Sequence, residues 1–118
     1  MRASRGEIKI QEILEEAGLR FTMEQSFEGL NSPNGRPLRF DFCVFDDDGN
    51  IDFLIEYQGK QHYEPSSKFG GTKGFYQQQF NDNKKRRFCA LKEIPLVEIP
   101  YTEENLITYD YIMTKAGY

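Results

Sequence analysis

Apolar residues recur along this chain at two spacings, and the spacing changes where turn-forming residues cluster. Glu7, Ile10, Leu14 and Ala17 share one stripe near a 3.6-residue period, so residues 5–17 are predicted helical. Ser4-Arg5-Gly6-Glu7 fits a capping box, with Ser4 as N-cap and Glu7 three positions on, and Gly18 supplies a stop. Residues 20–28 alternate well enough for a first strand. Residues 31–37, with Pro33, Asn34 and Gly35, read as a loop. In Pro37–Phe45, alternation puts Leu38, Phe40, Phe42 and Val44 on one face and Arg39, Asp41, Cys43 and Phe45 on the other. Asp48-Gly49 is a two-residue hairpin signal. Ile51–Gln58 then returns, with Ile51, Phe53, Ile55 and Tyr57 on one face and Asp52, Leu54, Glu56 and Gln58 on the other.

Residues 63–74, with Pro65, two serines and Gly70-Gly71, read as a loop, and residues 75–93 as a long helix. Residues 96–99 form a short strand between Pro95 and Pro100, and a last helix runs from a Thr102 N-cap towards Lys115. The order is α-β-β-β-α-β-α. With 118 residues and no repeat or linker, the expectation is one α/β (α+β) domain over residues 1–118.

The carboxylates change the picture. If Asp48 and Gly49 are the turn, Asp47 pairs with Asn50 and Asp41 falls directly opposite Glu56, with Gln58 one step along. Two facing acids on a strand pair are costly unless a cation lies between them. Asp41, Glu56 and the carbonyl or side chain near Tyr57-Gln58 would offer oxygen ligands to a hard cation such as Mg²⁺, with Mn²⁺ as substitute. Such an ion activates water and offsets charge in phosphoryl transfer. His62, the sole histidine, follows six residues after Glu56 and could orient or deprotonate that water. Glu7 serves either as the helix cap or as a site residue. Asp82 either pairs with Lys85 or Arg86 along its helix or faces the His62 region. Asp46-Asp47-Asp48 reads as a solvated turn.

Net charge is −4, yet Lys60 to Lys92 holds eight Lys or Arg against two acids, a net +6 that leaves −10 elsewhere. One basic face on an acidic body fits a polyanionic partner. Lys60, Lys73, Lys84, Lys85, Arg86 and Arg87 are the candidate phosphate contacts. No apolar run approaches a membrane span, and Met1-Arg2-Ala3-Ser4-Arg5 precedes no apolar stretch. Cys43 and Cys89 read as buried thiols, so a cytoplasmic, intracellular setting is expected.

These residues resemble the PD-(D/E)xK nuclease superfamily, most closely its very-short-patch-repair-like and phage homing endonucleases with an E-D-x-H-D signature. Glu7, Asp41, His62 and Asp82 match that signature in order, and Ile55-Glu56-Tyr57-Gln58-Gly59-Lys60-Gln61-His62-Tyr63 is similar to the family's I-E-Y-D-G-x-Q-H-[FY] string. The resemblance covers nearly the whole chain. It implies a restriction-endonuclease-like α-β-β-β-α-β core with a mixed sheet and a C-terminal helix. It also implies a Mg²⁺-dependent DNA endonuclease of homing or repair type, phage-like in origin. Glu7, Asp41, Glu56, Gln58, His62 and Asp82 would form its site. Gln58 departs from the pattern: it stands where the family's lysine, or a frequent aspartate, would be, and Lys60 is the candidate replacement. Two rival readings stand beside the one that the resemblance implies. The chain could be a degenerate module that binds nucleic acid or protein without cutting, or a cleavage domain whose recognition domain lies elsewhere. Target recognition could also come from a homodimer.

Overall fold

The computed structural model describes residues 3–118, so Met1 and Arg2 of the amino-terminal stretch lie outside it. The elements are α1 (Arg5–Glu16), β1 (Arg20–Asn31), β2 (Pro37–Phe45), β3 (Ile51–Gln58), α2 (Gly71–Lys92), β4 (Leu96–Pro100) and α3 (Tyr109–Lys115). Short 3₁₀ segments occupy Lys60–His62, Ser67–Phe69 and Tyr101–Leu106. The sheet order is β1-β2-β3-β4, antiparallel for the first two pairings and parallel for the last, so the sheet is mixed.

Helices cover both faces of the sheet. On one face, Ile10 and Leu14 of α1 and Ile112 of α3 pack against Phe42, Val44, Phe53, Ile55, Val97 and Ile99. On the other, Cys89 of α2 packs with Leu30, Leu38, Phe40, Cys43 and Leu54. Both cysteines are free and buried, and burial pushes their thiols up, Cys89 to about 11. Among the described residues no helix is long and apolar enough to cross a membrane.

Ser4 caps α1 as predicted: its hydroxyl oxygen accepts the Glu7 N–H (3.2 Å), and the hydroxyl donates to the Glu7 carboxylate (3.0 Å). Ala17, predicted on the apolar stripe, is exposed. α2 starts at Gly71 rather than at residue 75, because Gly70 takes a left-handed φ of 89° that turns the chain into the helix. Thr102 caps nothing; it lies in a 3₁₀ segment, and the N-cap of α3 is Thr108, whose hydroxyl accepts the Tyr111 N–H.

The β2–β3 turn differs from the prediction, yet the register comes out as predicted. Asp46 N–H donates to the Asn50 carbonyl (2.8 Å) and Gly49 N–H to the Asp46 carbonyl (3.1 Å), so the loop has three residues, with Gly49 at φ 85°. The Asp46 carboxylate accepts from the N–H groups of Asp48 and Asn50 (2.9 Å each), which accounts for the acid run as turn chemistry. The longer loop shifts pairing by one, and an irregularity between Val44 and Phe45 shifts it back. From Val44↔Phe53 to Phe42↔Ile55 the predicted register holds, and it places Asp41 across from Glu56.

Strict alternation along β2 does not hold. Leu38, Phe40 and Cys43 join the α2 side, whereas Phe42 and Val44 join the α1 side, so the faces exchange at Asp41. Ile51 likewise packs on the α2 side, apart from Phe53, Ile55 and Tyr57.

Candidate active site

The exchange of faces has a local cause. β1 and β2 pair on both sides of Glu24 and Asp41 (Met23↔Phe42, Gln25↔Phe40), but those two residues, which oppose each other, drop out of the ladder. Glu24 takes a left-handed φ of 55°, costly for a residue with a side chain. On the other side of Asp41 the β2–β3 ladder ends at Phe42↔Ile55, although β3 runs on to Gln58. Side chains replace the missing backbone bonds there. Asp41 N–H donates to Glu56 Oε2 (3.2 Å), and Tyr57 N–H donates to Asp41 Oδ2 (2.7 Å).

Asp41 and Glu56 are therefore neighbours, as the register requires, but they lean to different layers. One oxygen each of Glu7, Glu24 and Asp41 lie within 4.8 Å of one another, which joins α1, β1 and β2 at one point. Burial, then the charge of Glu56 beside it and of Glu7, pushes the Asp41 carboxyl up to about 8, against the Tyr57 N–H that favours its ionised form. Gly6 makes this approach of α1 possible: a Cβ there would lie 2.2 Å from the Tyr57 ring. Tyr57 itself points to the α1 side and donates its hydroxyl to Glu104 (3.1 Å), so its side chain is not available as a ligand. Burial and that Glu104 carboxylate push the phenol up to about 12.

Glu56 turns to α2. Its Oε1 pairs with Lys85, and both side chains are buried. Both Glu56 oxygens thus have partners, and Glu24 joins Asp41 from β1, on the side away from Glu56, as a carboxylate the sequence reading did not place there. Lys85 is corrected too: it is not a surface phosphate contact, because its ammonium is buried on Glu56 and over the Phe40 ring (5.4 Å to the centroid).

His62 and Asp82 are brought together from the loop and from α2: His62 Nδ1 and Asp82 Oδ2 are 2.9 Å apart. Gln78 donates to the other Asp82 oxygen (3.1 Å). On α2, Asp82 precedes Lys85 by three residues, about 4.5 Å along the axis, so the two pairs are adjacent. His62, Tyr63, Gln79, Asp82, Asn83 and Arg86 line a cleft of about 290 Å³. A larger groove of about 600 Å³ lies between α1 and residues 107–109, away from these groups.

Gln58 is buried and held at both amide atoms, donating to Glu98 (2.8 Å) and accepting from the Tyr63 hydroxyl (2.6 Å). Lys60 does not share its face, since the strand ends at Gln58; it makes an exposed pair with Glu64 (3.2 Å). Arg86 is held on Glu98 (2.8 Å), and Lys84 donates to the Asn31 carbonyl. Of the six candidate phosphate contacts, Lys73 and Arg87 are exposed and have no carboxylate partner among the described residues.

Glu24 is the site residue that the sequence reading missed. The signal was present in the β1–β2 register, which sets Glu24 opposite Asp41, but the five-residue loop Ser32-Pro33-Asn34-Gly35-Arg36 does not fix that register in advance.

The relatives are viral. The chain is 38% identical over 82 residues to uncharacterized protein 094L of Frog virus 3, covering 68% of this chain and 50% of that protein. It is 34% identical over 101 residues to uncharacterized protein 033L of Invertebrate iridescent virus 3, covering 84% of this chain and 50% of that one. Against uncharacterized protein 307L of Invertebrate iridescent virus 6, identity is 41% over 66 residues, 54% of this chain and 34% of that protein. The chain thus spans half or less of the length of these relatives. No family model and no solved structure matches it.

Proposed function

We propose that this chain is the catalytic part of a metal-dependent DNA endonuclease, and that its α-β-β-β-α-β order is that of the PD-(D/E)xK superfamily. The observation that carries this reading is the convergence of Glu7, Glu24 and Asp41 from three elements, without a basic side chain joined to any of them by a salt bridge among the described residues. Three hard oxygen donors with an uncompensated negative field fit Mg²⁺ or Mn²⁺. Bound there, the cation supplies Lewis-acid charge neutralisation and a water of lowered pKa. Glu56, fixed by Lys85, holds the Asp41 backbone in place. His62, with Nδ1–H directed to Asp82, keeps Nε2 free to accept a proton from the attacking water. The substrate is a phosphodiester, with Lys73 and Arg87 as surface phosphate contacts.

One observation favours a second reading, a module that binds without cutting. The position of the superfamily's lysine is filled by Gln58, closed by Glu98 and Tyr63, and Lys60 points elsewhere.

Supercoiled plasmid incubated with purified protein in Mg²⁺, Mn²⁺ or EDTA separates the two. The nuclease reading expects nicked or linear product with either metal, none in EDTA and none with Asp41→Asn. His62→Ala should slow the reaction by on the order of 10²–10⁴. An intact plasmid in every lane, with DNA still bound, would establish the second reading.

A further inference from the structure

α2 is long enough to have two jobs. Gln78, Asp82, Lys85 and Cys89 face the sheet and the site. At 3.6 residues per turn, Lys73, Tyr76, Phe80, Arg87 and Leu91 fall on the opposite side. Tyr76 is 63% exposed and Phe80 55%, two large rings in water on one helix face. Phe69, just before the helix, is exposed as well, with Lys68 over its ring (5.8 Å to the centroid).

The charge around these rings has one sign. From Pro65 to Lys92 the only carboxylate is Asp82, and it is buried on His62. Lys85 and Arg86 are neutralised by Glu56 and Glu98, whereas Lys68, Lys73, Arg87 and Lys92 have no carboxylate partner among the described residues. On a chain of net charge −4, such a face selects a polyanion. Aromatic planes beside phosphate-binding cations are the requirement for stacking nucleic-acid bases. A duplex keeps its base faces stacked inside, so the rings gain a partner only where bases are unpaired.

We propose that the outer face of α2 binds unpaired nucleic acid, stacking bases on Tyr76 and Phe80 and contacting phosphates through Lys73 and Arg87. The surface continues to the site: Asn83, Gln79 and Arg86 come next around the helix, and they line the cleft with His62. This goes beyond the nuclease reading, because none of the carboxylates is needed for it.

The test is fluorescence anisotropy with labelled oligo(dT) and with a duplex of equal length, in EDTA, so that cleavage plays no part. The wild-type protein should bind the single strand more tightly. Tyr76→Ala and Phe80→Ala should each weaken that binding on the order of 10- to 100-fold, with Tyr76→Phe and Phe80→Tyr restoring it and circular dichroism unchanged. Lys73→Ala/Arg87→Ala should lower the salt slope by about 0.7 per lost contact. Tighter duplex binding, or undiminished oligo(dT) binding without both rings, would overturn the proposal. So would concentration-dependent self-association abolished by the ring substitutions without any nucleic-acid binding, which would assign the face to a second copy. A protein that cuts duplex plasmid but shows no single-strand preference would lose this inference and keep the nuclease reading.

Discussion

At Asp41, burial and neighbouring negative charge act in the same direction, and the consequence is a pH dependence of stability. An unfolded aspartate titrates near 4, while this one is pushed up to about 8. Between those values the native chain holds a proton that the unfolded chain has lost, so this group's contribution is complete below about pH 4 and fades as pH rises towards 8. Denaturant unfolding across that window should therefore show stability falling with pH, and Asp41→Asn should flatten that component; parallel curves for the two proteins would refute it. Glu24 makes a second test. Its left-handed backbone suits glycine, so Glu24→Gly should raise stability by about 0.5–1 kcal/mol while removing the metal-dependent cleavage we propose. A loss of stability would mean that the Glu24 carboxylate is structural. The pair Asp41–Glu56 came out as predicted although its turn did not: the three-residue loop shifts the register by one, and the irregularity between Val44 and Phe45 shifts it back. Glu24 was not legible, since nothing local announces a strand residue at positive φ.

Among the elements, α2 departs furthest from its sequence reading. Its basic run supplied four of the candidate phosphate contacts, Lys84, Lys85, Arg86 and Arg87, which helical geometry distributes around the axis so that they cannot share one face. One of them, Lys85, is drawn into the interior by Glu56. A buried pair is weak evidence of net stabilisation but costly to break on one side. Lys85→Met should destabilise the protein by about 3–5 kcal/mol, read from chemical denaturation, and Lys85→Met/Glu56→Leu should recover most of that loss. Equal instability of single and double variants would indicate that Glu56 is needed for its bond to the Asp41 backbone. The strand positions of β2 and β3 were readable from period-2 alternation. The exchange of faces at Asp41 was not, because the missing ladder bonds are made by side chains from other strands.

For the whole molecule, two cores share one sheet, so unfolding should be a single transition by any probe. A cation that binds only the folded carboxylate cluster then adds RT ln(1 + [L]/Kd), about 2.7 kcal/mol at a hundredfold excess over Kd. Mg²⁺ should raise the unfolding midpoint relative to EDTA in the wild-type protein and leave Asp41→Asn unmoved; an equal rise in both would place the ion elsewhere. The order of elements followed from the spacing of apolar residues and turn formers, whereas the mixed character of the sheet was expected only from the resemblance. The kink at Glu24 has one more effect. β1 is an outer strand of twelve residues, long enough to template pairing with strands from other molecules. Its ladder is interrupted at Glu24 and shifts again between Ser26 and Asn31, and Glu24 and Glu28 are exposed along it. At the other edge, β4 has five residues, follows Pro95 and ends on Pro100. The irregularity that gathers the carboxylates thus also makes the open edge of β1 a poor template for strands of other molecules. Straightening β1 for stability would trade away colloidal behaviour along with the site.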